Sequence, residues 1–181
     1  MKPNYKPNFK NRPPHIHSEP GYYFITVRTI DGQWFLRPDD YKQIMFETIK
    51  SKTEKFNIQL IAYVILNNHY HLIVNVSDTS KFSKFMAELN GASAKAINEA
   101  DHVVNRKIWW NYFEKLIASD ADFYKHLNYI HQNPIKHSVS KDFEYKFSSY
   151  NAWLKKKGKE YLDDSFGKYP IIDFVVFNDE L

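Results

Sequence analysis

Residues 57–76, NIQLIAYVILNNHYHLIVNV, hold two strand-like apolar runs parted by only Asn67 and Asn68. A link that short permits one arrangement, an antiparallel hairpin, because parallel neighbours need a crossover of roughly a dozen residues or more. Asparagine tolerates positive φ, so the pair suits a tight turn. Within the second run His69 and His71 share one face of the strand, while Tyr70 points to the other. Two imidazoles side by side on a rigid strand are either the start of a metal site or two polar residues on a solvated face. The run itself does not choose between them.

Other elements fall into place around this hairpin. GYYFITVRTI, residues 21–30, alternates and is rich in β-branched and aromatic residues, which predicts a strand; DGQ then reads as a turn. Asp39 or Asp40 caps a helix that carries Tyr41, Ile44, Met45, Thr48 and Ile49 at helical spacing and runs to about Lys55. Phe82, Phe85, Met86, Leu89 and Ile97 mark a second helix, from Ser80 to near Ala100, with Lys81, Lys84 and Lys95 on its outer face. KIWWNYFEKLI reads as a fourth strand. Ser119 and Asp122 form a capping box that starts a third helix, and Asn133-Pro134 should end it. The order is β-α-β-β-α-β-α. Its first six elements have the split β-α-β, ferredoxin-like pattern, an α+β fold with a central antiparallel sheet and helices on one face, followed by a C-terminal extension. Many unrelated functions use that fold, so it decides none of them.

With 181 residues, 43% of them hydrophobic, the chain suits one domain with tails. Residues 1–20 are rich in Pro, Asn and positive charge and read as a flexible basic arm. Residues 21–154 form the folded domain. Residues 155–181 form a tail of undetermined packing that opens on Lys155, Lys156 and Lys157. The absence of cysteine excludes disulfides, thiolate catalysis and cysteine-ligated zinc. No apolar run is long enough to span a membrane and the N-terminus lacks a secretory core, so the expectation is a cytoplasmic protein. A net charge of +4 fits a nucleic-acid binder and many ordinary enzymes alike.

The third helix adds a second cluster. Phe123, Leu127 and Ile130 form a narrow apolar stripe, and His126, Tyr129 and Asn133 fall together on one flank. An Asn carbonyl suits a divalent cation and a phenol can act as a nucleophile. The same residues also read as a half-buried tyrosine and a helix-ending asparagine. HIH at residues 15–17 repeats the histidine pattern, but it lies in the arm, with no strand to make the two side chains converge.

NNHYHLIV, followed by YIHQNPIKHSV and FSSYNAW, resembles the single-tyrosine transposases of the HUH superfamily, and among them the REP-associated tyrosine transposases. The ordered blocks cover about residues 21–154. The resemblance implies that His69 and His71 are metal ligands, that Asn133 completes the site, and that Tyr129 is the nucleophile. It implies a divalent metal ion, Mg or Mn, and a partner that is single-stranded DNA with hairpin structure. The chemistry it implies is cleavage and rejoining of that DNA through a 5′-phosphotyrosine link, as in DNA transposition. Lys81, Lys84, Lys95, Lys155, Lys156 and Lys157 are then candidate phosphate contacts. A monomer with a cis site is expected, with a homodimer as the alternative. The rival on the same fold is a catalytically silent hairpin-DNA-binding protein. The chain departs from the family pattern at Asn67, where a proline is frequent. It also carries His137 and Ser138 where a small residue and a glycine are usual, which should alter the turn after the tyrosine helix.

Overall fold

A computed structural model describes residues 19–171. The HIH pattern at residues 15–17, most of the arm and residues 172–181 lie outside the described residues. The sheet contains β1 (Gly21–Thr29), β2 (Gln59–Ile65), β3 (His69–Val76) and β4 (Trp109–Leu116). They lie in the order β2-β3-β1-β4, with every neighbouring pair antiparallel. The helices are α1 (Asp39–Phe56), α2 (Phe82–Ala100), α3 (Asp120–Lys136), α4 (Tyr150–Lys157) and α5 (Lys159–Lys168). The ferredoxin-like expectation therefore holds.

Strand alternation divides the core in two. Tyr23, Ile25, Val27, Tyr70, Leu72 and Val74 face α1 and α2, where Met45, Ile49, Phe82, Phe85, Met86 and Leu89 meet them. Each fully buried large apolar side chain contributes roughly 1.5–3 kcal/mol. Tyr70 is buried on this side with its hydroxyl donating to Asn90 Oδ1 at 2.6 Å, so its polar end is satisfied. The opposite face carries Phe24, Ala62, Val64 and Ile73, and α3 covers it with Leu127, Tyr129 and Ile130. His69 and His71 stand on this second face, under α3.

Three local expectations are corrected. First, neither Asn67 nor Asn68 has positive φ. The hairpin is closed instead by backbone bonds: Leu66 N–H donates to His69 O at 2.8 Å, Leu36 N–H to Asn67 O at 2.9 Å and Thr29 N–H to Asn68 O at 2.8 Å. Second, Asp39 and Asp40 lie in the first turn of α1 and Pro38 is the cap. The Asp39 carboxylate accepts from Lys42 Nζ at 3.1 Å, so it is not available to cap. Third, α3 runs through Pro134 to Lys136. Pro134 has no N–H to give, but the helix resumes because His137 N–H reaches Asn133 O at 3.1 Å. The Ser119–Asp122 cap forms as expected, with Asp122 N–H donating to Ser119 Oγ at 3.2 Å and Ala118 N–H donating to the Asp122 carboxylate at 3.1 Å.

The described part of the tail packs on the body. Asn128 Nδ2 donates to the carbonyls of Ser165 and Tyr169 at 2.9 and 3.0 Å, which docks α5 on α3. α4 runs across residue 154 and is tied to the edge strand β2, Trp153 Nε1 donating to Ile61 O at 3.0 Å.

Candidate active site

The register of the sheet builds the first half of the site. Thr26 pairs with His71 and Arg28 with His69, so all four side chains emerge on the α3 face. Each imidazole is oriented by a neighbour. Asn68 Nδ2 donates to Gly32 O at 3.2 Å, which turns its Oδ1 toward His69 Nδ1 at 2.7 Å. That contact fixes the orientation of the His69 ring and directs its Nε2 toward α3. His71 Nδ1 bonds the Thr26 hydroxyl at 2.9 Å, and its ring stacks on Phe24 at 5.3 Å. The two imidazoles lie 5.0 Å apart, centre to centre.

α3 supplies the second half. Because the helix continues past Pro134, Tyr129 and Asn133 lie one turn apart and both are buried. Asn133 Oδ1 lies 3.3 Å from His69 Nε2. Both atoms are of a type that can ligate a divalent cation. Asn133 Nδ2 is buried with no hydrogen-bond partner among the described residues. Tyr129 presents its ring to His71 at 5.4 Å and is only 1% exposed. Lys136, two turns later, donates to the Tyr129 hydroxyl at 3.2 Å and lies 4.9 Å from its ring centre. Sequence reading brought Lys136 nowhere near the site, because it ended the helix before that residue.

Among the described residues no three His, Cys, Asp or Glu side chains form a metal cluster. A divalent ion would therefore rest on two imidazoles and the Asn133 carbonyl, a donor set that such ions accept. His137 comes within 4.9 Å of the His69 ring, centre to centre. Burial, and then the neighbouring His69, holds its pKa down to about 3.

The remaining predicted residues are placed as follows. His126 is buried against Phe24, with Nδ1 on the Asp122 carbonyl at 2.7 Å; burial lowers its pKa. Tyr124, a second tyrosine of α3 that was not among the predicted site residues, is turned toward Tyr161, and the hydrogen bond between the two hydroxyls raises its pKa to about 12. Lys81, Lys84 and Lys95 are exposed at the start of α2 and along it, on the other side of the sheet from the histidines; Lys81 pairs with Asp78 at 2.9 Å and Lys95 with Glu99 at 3.7 Å. Lys155, Lys156 and Lys157 are exposed at the end of α4. None of these six lysines lines the groove of about 310 Å³ that opens beside His69 between Trp34, Arg37, Asn67 and His137. The sequence reading missed Thr26, Asn68 and Arg28. Thr26 and Arg28 were marked by the signal that marked the histidines, polar residues two apart in an apolar strand.

A histidine pair on an inner strand of an antiparallel ferredoxin-like sheet, set against a helix-borne tyrosine, agrees with the resemblance to single-tyrosine DNA transposases. The family model described as Transposase IS200 like matches residues 21–133, and the chain belongs to that family of enzymes that act on DNA. A REP-associated tyrosine transposase of Escherichia coli K12 is 25% identical over 155 residues, covering 83% of this chain and 83% of that protein. A Haemophilus influenzae protein assigned to the same REP-associated group is 27% identical over 148 residues, covering 75% of this chain and 82% of its own length. A solved REP-associated tyrosine transposase bound to a REP hairpin superposes with a TM-score of 0.69 at 24% identity, covering 82% of this chain and 88% of that one; it shares the fold. No helix among the described residues is long and apolar enough to cross a membrane.

Proposed function

We propose that this chain cleaves and rejoins single-stranded, hairpin-bearing DNA through a covalent link to Tyr129. The observation that carries the reading is the convergence of Tyr129, His71, His69 and Asn133 from two elements of one chain. His69, His71 and Asn133 would hold a divalent cation, Mg or Mn. When bound, that ion supplies positive charge to a nonbridging oxygen of the scissile phosphate. Thr26 and Asn68 hold the two rings so that their orientation is set before DNA arrives. The Tyr129 oxygen attacks phosphorus, its proton passing to solvent. The new bond is Tyr129 Oη–P, and the bond that breaks joins phosphorus to the 3′ oxygen, which leaves and takes up a proton. A phosphotyrosine diester keeps the energy of the original linkage, so a later 3′ hydroxyl can reverse the step and join strands. Lys136 supports the phenolate from its place beside the hydroxyl. The REP hairpin held by the structural relative supports a hairpin partner for this chain. Assembly of the site within one chain favours a monomer acting in cis.

Covalent capture tests the reading. Wild type and Tyr129→Phe are incubated with Mn and single-stranded hairpins labelled on the 5′-phosphate side of the expected break, and adducts are resolved on a denaturing gel. Wild type should form an adduct that maps to Tyr129, and the variant should form none while still binding. An adduct on Tyr124, or one that survives in Tyr129→Phe, refutes the assignment. Tight hairpin binding without any adduct in wild type supports the silent binding protein instead.

A further inference from the structure

The loop between β1 and α1 holds a tryptophan out in solvent beside the site. Trp34 is 56% exposed, an uncommon state for so large an apolar ring. Its exposure does not come from a loose loop. Leu36, two residues later, is fully buried, and its N–H donates to Asn67 O at 2.9 Å. Thr29 Oγ1 donates to Gln33 O at 2.6 Å, and Arg37 N–H donates to Trp34 O at 3.1 Å. Lys42, itself buried, donates to Arg37 O at 2.9 Å. Asn68 ties the loop to the site directly, with its Nδ2 on Gly32 O and its Oδ1 on His69. A ring mounted this firmly and left more than half exposed is arranged for something to lie on.

Its surroundings say what. Trp34 lines the same groove as His69, His137 and Arg37, and the Arg37 guanidinium lies 5.8 Å from the Trp34 ring centre. Arg28 projects from the β1 position paired with His69, and its guanidinium comes within 3.6 Å of the point a Cβ on Gly32 would occupy. The groove therefore joins a flat apolar ring, the Arg37 guanidinium and two imidazoles, those of His69 and His137, while Arg28 lies outside the lining, beside Gly32. Guanidinium forks match phosphate oxygens, and an exposed indole face accepts any base by stacking.

We propose that Trp34 is a stacking platform for an unpaired base of the DNA strand that enters the His69 groove, with Arg28 and Arg37 holding the adjoining phosphates. This rests on the function proposed above and makes the stretch beside the hairpin foot, and not the hairpin stem, the part that Trp34 reads. Stacking is tolerant of sequence, so Trp34 fixes where a base sits and the site accepts more than one base there.

The test is a coupling experiment on the full chain. Binding is measured for wild type, Trp34→Ala and Trp34→Phe with three probes: a blunt hairpin, the hairpin carrying a single-stranded extension, and that extension with an abasic site at each position in turn. Trp34→Ala should lose on the order of tenfold to a hundredfold in affinity for the extended hairpin and under twofold for the blunt one. Trp34→Phe should retain most of the affinity. At one extension position the abasic change should weaken wild type but not Trp34→Ala, a non-additivity that a loss of folding does not produce. Equal abasic penalties in wild type and Trp34→Ala at every position overturn the platform while leaving the proposed function standing. Wild type that binds no hairpin more tightly than duplex overturns both.

Discussion

His69 and Asn133 meet across the boundary between sheet and helix, the Nε2 of one facing the Oδ1 of the other at 3.3 Å. Sixty-four residues separate them in sequence, and the contact exists because α3 holds its helical path through Asn133 into Pro134. Under the proposed function this pair supplies two of the three protein ligands of the cation, with Asn68 orienting the His69 ring.

Metal binding can be read without any DNA. At a hundredfold excess over Kd a bound ion stabilises the folded chain by about 2.7 kcal/mol, which raises Tm by roughly 5–10 °C for a domain of this size. Wild type should show that rise with Mn. His69→Ala, His71→Ala and Asn133→Ala should lose most of it, and His15→Ala and His17→Ala should keep it. A rise that survives His69→Ala but disappears in His15→Ala places the metal in the arm.

Much of this arrangement was legible in the residues. Strand alternation placed His69 and His71 on one face and Tyr70 on the other, and Tyr70 is indeed buried against Trp109 on the α1–α2 side. Helical spacing put Tyr129 and Asn133 one turn apart. What stayed hidden depends on packing that no local pattern carries. α3 carries polar residues on more than one face, yet His126, Asn128, His131 and Asn133 are all buried, because the sheet, α4 and α5 close around the helix. His131 shows the cause: its Nε2 reaches Ser149 Oγ at 3.3 Å and its ring packs on Tyr150 and Trp153, all far along the chain. Asn68 looked like a turn residue. Its work is to orient His69, a role visible only once Gly32 and His69 are seen on either side of its amide.

Ser138 occupies the backbone position where the family resemblance suggested a glycine, and its φ is +55°. A side chain in that region costs about 1–2 kcal/mol relative to glycine, offset in part by the greater freedom of glycine in the unfolded chain. Ser138→Gly should therefore stabilise the protein by about 0.5–1 kcal/mol, and Ser138→Val should destabilise it by more than that. Urea denaturation of the two variants beside wild type checks both signs. A destabilised Ser138→Gly would mean that the serine makes contacts outweighing its backbone strain.

Lys136 carries the last prediction, because its place depends on the unexpected turn of helix after Pro134. Its ammonium group donates to the Tyr129 hydroxyl at 3.2 Å, and the ring it lies across is otherwise enclosed. In the proposed reaction the phenolate attacks phosphorus, and a cation at that distance would support the negative charge on its oxygen. Lys136 is exposed along much of its length, so solvent weakens the effect, and about 1.4 kcal/mol, or tenfold in rate, is a fair expectation. Lys136→Met keeps the length of the side chain and removes the charge. It should slow single-turnover cleavage about tenfold, leave hairpin Kd within about twofold, and leave the Mn-induced rise in Tm intact. Lys136→Arg should recover most of the rate. Measuring rate and Kd on the same samples separates support of the phenolate from general attraction of DNA, since a lost phosphate contact would appear mainly in Kd. Faster cleavage in Lys136→Met would show instead that the side chain acts chiefly as a cover over Tyr129, and that DNA must displace it before the phenol can react.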